Sequence, residues 1–220
     1  MKRFLFATIL AASALFVSAQ HCTTLWPYVY PEFMDGTLYL AGQEKLNAKF
    51  NIHVQESRLH YLDKGIIKEA LNKDIVMVTI GNDIYMVVDG SVMKVVGSEE
   101  RGFVATLILG DFDSLFNSSG AYGASSSSSA VMKLSSIDIG GKQIVNHMML
   151  REGRDEGIPL PLKYKYFIVT KGEVYPATRR GISKELDKEE SKEFRKFVRS
   201  NNINWSDPQS MLAILDFFNK

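Results

Sequence analysis

Apolar and polar residues alternate most regularly between Asn47 and Gln55. Ala48, Phe50, Ile52 and Val54 take turns there with Asn47, Lys49, Asn51, His53 and Gln55. A period of two predicts a strand with one buried and one wet face, because successive side chains of a strand point to opposite sides. Thr37 to Leu40 is a shorter apolar run behind the turn dipeptide Asp35-Gly36, and Leu59 to Leu62 leads into Asp63-Lys64-Gly65, a hairpin-like turn.

The same rhythm continues. Ile75 to Ile80 ends at Gly81-Asn82-Asp83, and Ile84 to Val88 ends at Asp89-Gly90. Val92 to Val96 ends at Gly97, and Phe103 to Leu109 ends at Gly110-Asp111. Short strands joined by tight turns predict an antiparallel meander, since parallel neighbours would need a crossover for which there is no room. Residues 117–129 hold five consecutive serines after a Gly- and Ser-rich start. They offer no apolar surface to offset ordering entropy, so a mobile loop is expected. Strand patterns resume at Val131 to Leu134, Ile144 to Leu150, Tyr164 to Thr170 and Glu173 to Tyr175, with a charged loop at Arg151 to Gly157.

From Ser183 the period lengthens to that of a helix. Leu186, Phe194, Phe197 and Val198 share a stripe, and Asp187 with Glu190 fits a capping box. Asn201-Asn202 closes that helix, and Asp207-Pro208 opens another, with Asp as N-cap and Pro in the first turn. The expected fold is mainly β (α+β), an antiparallel meander forming a curled sheet, a sandwich or a partial barrel. Residues 20–181 form the β domain, and residues 182–220 form a C-terminal helical hairpin.

Residues 1–19 read as a cleavable signal peptide. Lys2 and Arg3 precede the apolar run Phe4 to Phe16, and Val17-Ser18-Ala19 supplies the small residues of a cleavage site. The run is short for a membrane span, which takes about 20 residues, and no later segment approaches that length. The expected location is therefore outside the cytoplasm: periplasmic, outer-membrane-associated or secreted. Cys22 is the sole cysteine, so no internal disulfide forms. Gln20-His21 ahead of it argues against lipidation, which favours a small residue directly before the cysteine. Losing Lys2 and Arg3 turns a formal charge of +1 into −1, and so balanced a chain has no electrostatic footprint for nucleic acid.

Candidate chemistry is sparse. His21, His53, His60 and His147 show no metal-ligand spacing. His53 falls on the wet face of its strand, where an exposed histidine is expected. Asp111-Phe112-Asp113 lacks the oxygen pattern and late Glu of a calcium loop. No nucleophile elbow or phosphate loop occurs, and no cofactor motif is present. A hydrolytic site would have to be assembled by folding, with His60 or His147 meeting Asp111, Asp113 or Glu56. Trp26-Pro27-Tyr28-Val29-Tyr30-Pro31 sets large aromatics between prolines in an extended segment. Trp26, Tyr28 and Tyr30 are thus candidates for a partner or sugar platform, or for an anchor in the protein's own core.

The signal ending in Ser18-Ala19-Gln20 resembles those of exported proteins of the Bacteroidota. The stretches Asn47 to Val54, Leu59-His60-Tyr61-Leu62-Asp63 and Ile80-Gly81-Asn82-Asp83 resemble the opening β-module of small exported proteins in that group. The segment through Asn201-Asn202-Ile203 and Asp207-Pro208 is similar to their C-terminal tails. The resemblance implies a cell-envelope location and carries no activity. Asp113-Ser114-Leu115 matches the three-residue O-glycosylation pattern of that phylum, which makes Ser114 a candidate acceptor. The functional expectation is a non-enzymatic module that binds an envelope protein or a glycan. The alternatives are an envelope hydrolase and a small-ligand carrier with a β-walled cavity.

Overall fold

The computed structural model describes residues 23–24, 27–111, 136–139, 142–145 and 160–219. The signal segment, Cys22, Trp26, Asp113, Ser114, the Ser-rich loop, His147 and the charged loop at 151–157 lie outside the described residues.

Thirteen strands, four α-helices and one 3-10 turn at Asn72–Asp74 are described. The strands are β1 (Thr23–Thr24), β2 (Met34–Leu40), β3 (Lys45–His53), β4 (Arg58–Asp63), β5 (Ile66–Glu69), β6 (Ile75–Ile80) and β7 (Asp83–Val88). They continue as β8 (Ser91–Glu99), β9 (Gly102–Gly110), β10 (Ser136–Ile139), β11 (Lys142–Val145), β12 (Leu160–Thr170) and β13 (Glu173–Pro176). Among the described residues β10 and β11 pair only with each other. The rest form one sheet in the order β1-β12-β9-β8-β7-β6-β2-β3-β4-β5, with β13 beside β12, and every pairing is antiparallel. The meander therefore comes in two runs, β2 to β5 and β6 to β9, stitched together where β2 pairs with β6. The sheet is not closed.

Turn chemistry explains the hairpins. Lys64-Gly65, Asp89-Gly90 and Lys171-Gly172 have positive φ at both central residues, the mirror-image turn that suits the twist of a two-residue hairpin. Gly81, at φ +57, starts the β6–β7 turn and delivers Asp83 as the first residue of β7. β2 is threaded between two strands, so Gly36 meets backbone closely: a Cβ there would stand 2.0 Å from the Thr79 carbonyl oxygen.

The sheet curls. The amide of Gly110 donates to the Val54 carbonyl at 2.8 Å, and that of Val92 donates to the Ser57 carbonyl at 3.1 Å. These bonds hold the β3–β4 turn on β8 and β9. Inside the curl Leu38, Phe50, Ile52, Leu59, Val78, Ile80 and Val92 form one core. A second core lies under the C-terminal helices α1 (Arg179–Glu185), α2 (Lys188–Ser200), α3 (Pro208–Leu212) and α4 (Ile214–Phe218). There Ile182, Phe194, Met211, Ile214 and Leu215 pack on Val104 and Ile168 of the sheet.

The helical region holds more than the expected hairpin. The Asp187–Glu190 capping box is present, with the Glu190 amide donating to Asp187 at 2.8 Å. An additional helix, α1, precedes it and is capped by Thr178. Leu186 is the C-cap of that helix and packs into the same core as Phe194, Phe197 and Val198, and the last helical stretch breaks at Ala213. Among the described residues no helix is long and apolar enough to cross a membrane.

Candidate functional site

One row of paired residues crosses the inner face of the sheet. Leu38 on β2 sits opposite Val78 on β6, Val78 opposite Tyr85 on β7, and Tyr85 opposite Lys94 on β8. Lys94 in turn faces Thr106 on β9, and Thr106 faces Tyr166 on β12. The row starts in the core of the curl, where Tyr85 is 1% exposed, and ends where Tyr166 packs under the helices. Between those two apolar regions lies a polar seam. Period-two alternation brings Asp83 and Tyr164, each two residues from a member of the row, to the same face.

The N-terminal segment completes this seam. The Tyr30 hydroxyl donates to Asp83 Oδ2 at 2.5 Å and lies 2.7 Å from the Tyr85 hydroxyl. A carboxylate only accepts, so Tyr30 spends its proton on Asp83 and takes that of Tyr85. Lys94 Nζ also reaches Asp83 Oδ2, at 2.8 Å, with both side chains about 30% exposed. Both phenols are held well above the usual tyrosine range, Tyr30 by burial and by the neighbouring Tyr85 and Asp83, Tyr85 mainly by burial. They therefore remain neutral hydrogen-bond donors.

This network leaves hydrogen-bonding capacity unspent. Among the described residues Asp83 Oδ1 has no partner, and Lys94 keeps donors beyond its one ion pair. The Thr106 hydroxyl, on a residue 3% exposed, has no hydrogen-bond partner among the described residues. Such a buried group costs about 1–3 kcal/mol. Tyr164 is 40% exposed.

A second cluster gathers residues singled out in the sequence. Tyr28 pairs through its backbone with His53, and its hydroxyl lies 2.9 Å from His60 Nδ1. The two imidazoles stack with centroids 5.1 Å apart, and Tyr28 packs edge-on against both. His60 Nε2 is 3.7 Å from Glu69 on β5. Burial pushes the Tyr28 phenol upward. His53 is only 5% exposed, which corrects the expectation of an exposed histidine on a wet face. Residues 27–33 lie across that face, and Phe33 and Tyr28 join Leu62 and Ile67 in a small core of their own.

Folding thus distributes the candidates in an unforeseen way. Tyr28 is completely buried and belongs to the anchor, not to a contact surface. Tyr30 enters the inner seam. His60 meets Tyr28 and Glu69, whereas Glu56 pairs with Arg58 at 3.2 Å and Asp111 with Lys163 at 2.6 Å. Sequence reasoning missed Asp83, Tyr85, Lys94, Thr106 and Tyr164. Gly81-Asn82-Asp83 has the sequence of a turn, and register alone aligns the others. Among the described residues no three His, Cys, Asp or Glu side chains gather as a metal site. No protein-family model matches the chain, and no curated protein or solved structure is detectably similar to it.

Proposed function

We propose that this chain is an exported, non-enzymatic binding module of the cell envelope whose ligand surface is the polar seam around Asp83 and Lys94. The observation that carries this reading is the unspent hydrogen-bonding capacity of that half-open ion pair. On the neighbouring strand the Thr106 hydroxyl, directly across from Lys94, is buried without a partner among the described residues. Polar groups converging between apolar walls are the ordinary makings of a recognition site.

Two features favour this reading over the alternatives. His60 has its Nδ1 beside a fully buried phenol and its ring 5% exposed, an arrangement that gives a substrate little approach. The interior of the curl is occupied by Phe50, Ile52, Leu59, Val78 and Ile80, each 0–1% exposed, which disfavours a carrier cavity.

The test is a thermal-shift screen of the full mature chain against fractionated envelope extract. A fraction that raises the melting temperature of the parent protein but not of Asp83→Asn places the ligand at the seam, because ligand bound to the native state stabilises it. A shift equal in both proteins puts the ligand elsewhere, and chemical conversion of the fraction's components makes the protein an enzyme.

A further inference from the structure

We infer that one flank of α2 docks on an anionic lipid surface, with Lys188, Lys192, Arg195, Lys196 and Arg199 facing the headgroups. None of these residues belongs to the seam, and the inference stands apart from the reading given for it.

Charge is sorted around this helix. Ser191, Phe194 and Val198 mark its buried side. All five cations are exposed, and at the helical pitch they fall within an arc of about 100° on one flank. Glu189, Glu193 and Glu190 lie further round, about 80–180° from the centre of that arc. Along the axis the cations run from Lys188 to Arg199, a span of about 16 Å. Glu189 and Glu193 stand three positions before Lys192 and Lys196, yet none of the five cations makes an ion pair or a side-chain hydrogen bond among the described residues. The arrangement works against the helix itself. Lys188 and Lys192, Lys192 and Lys196, and Arg195 and Arg199 are like charges four residues apart, and such neighbours repel. Lys188 also sits in the first turn, at the positive end of the helix dipole. A merely solvated face gains from interspersed signs. This one keeps its cations together, which suits a partner of opposite charge.

Shape and chemistry favour a bilayer as that partner. The apolar side of α2 is spent on the protein's own core, where Phe194 and Val198 pack, so the cations stand on a convex flank. A plane of headgroups can meet such a flank, because long lysine and arginine side chains reach one surface from different points of an arc. Clusters of roughly four to eight basic residues on a helix are the ordinary footprint for anionic lipid. Among the described residues no large exposed apolar side chain lies on the helices. A protein partner would need such an anchor for the desolvated centre of its interface, whereas a bilayer held by charge does not. Contact is therefore peripheral, without insertion, and salt reverses it. The whole chain carries a formal charge of only +1, so the sorting on α2, not net charge, supplies the attraction and orients the protein.

The experiment is co-sedimentation of the mature chain with vesicles of equal parts phosphatidylglycerol and phosphatidylcholine, against vesicles of phosphatidylcholine alone. The parent should sediment with the anionic vesicles at low salt, stay in solution with the neutral ones, and be released at high salt. The triple variant Lys192→Gln/Arg195→Gln/Arg199→Gln should lose affinity on the order of a hundredfold, from about fivefold per cation. The control Lys45→Gln/Lys73→Gln/Lys165→Gln removes the same charge from exposed lysines outside the helices and should bind as the parent does. The first variant relieves repulsion along α2, so it should melt no lower than the parent, which separates loss of binding from loss of fold. A parent that ignores anionic vesicles at low salt overturns the inference, as does equal loss in the two triple variants or equal capture by neutral vesicles. Binding of soluble polyglutamate with the vesicles ignored would give the stripe to an acidic protein and overturn the lipid partner.

Discussion

The hydroxyl of Tyr28 lies 2.9 Å from Nδ1 of His60, so an aromatic residue suited to meeting a partner and a histidine suited to catalysis are joined inside the protein. Neither is free for the role its position in the sequence suggested. Replacing Tyr28 by phenylalanine keeps the ring against Phe33, His53 and His60 but strands the imidazole nitrogen. The expected loss is about 1–2 kcal/mol, read as a lower urea midpoint with an unchanged slope. Tyr28→Ala should cost about 3–5 kcal/mol. A neutral result for both would show that the cluster does not hold the N-terminal segment.

Three of the raised phenols fix the sign of the alkaline response. Tyr28, Tyr30 and Tyr85 stay protonated in the folded chain above the pH at which unfolded tyrosine ionises, near 10. The unfolded state therefore releases protons first, and stability present below about pH 10 falls as pH rises beyond it. Spectrophotometric titration should find part of the nine tyrosines ionising only as the protein unfolds. Replacing Tyr30 by phenylalanine should flatten the alkaline loss of stability. A titration in which every tyrosine ionises while the fold persists would contradict the burial.

Gly36 has no room for a side chain. A Cβ would press on the Thr79 carbonyl oxygen at 2.0 Å and the Phe50 ring at 3.0 Å. Gly36→Ala should force β2 away from β6 and cost about 1–3 kcal/mol, seen as a lower melting temperature. Gly42, with nothing near its virtual Cβ, is the control, and an equal effect at both sites would refute the packing argument.

The C-terminal helices belong to the core. Deleting residues 188–220 removes Phe194, Met211, Ile214 and Leu215 from above Val104 and Ile168. Loss of cooperative unfolding is the expected outcome. A truncated chain that melts like the intact one would make the helices a separable element. A milder change, Asp187→Ala, removes the cap of α2 and should cost about 1 kcal/mol.

Much of this architecture was legible in the chain. Asp89-Gly90 and Lys64-Gly65 dictate tight hairpin turns because their backbone conformation suits few other residues, and Asp187 with Glu190 marks a helix start by chemistry local to four residues. The middle of β3 also follows its alternation, with Asn47 and Lys49 exposed and Ala48 and Phe50 turned inward. Its C-terminal end does not: Asn51 and His53 are buried because a segment some twenty residues earlier covers them. Local periodicity cannot register such a cover.

The seam was illegible for a similar reason. Tyr30 stands 53 residues from Asp83 in the chain, and Thr106 faces Lys94 and Tyr166 only through strand register. The sequence determined strand and helix type, turn positions and caps, since each depends on interactions among a few neighbouring residues. Tertiary structure decided which face of each strand is covered, where His53, His60 and Tyr28 meet, and which polar groups share the inner face. Those outcomes depend on sheet order and curl, and both are set by contacts between residues far apart in the chain.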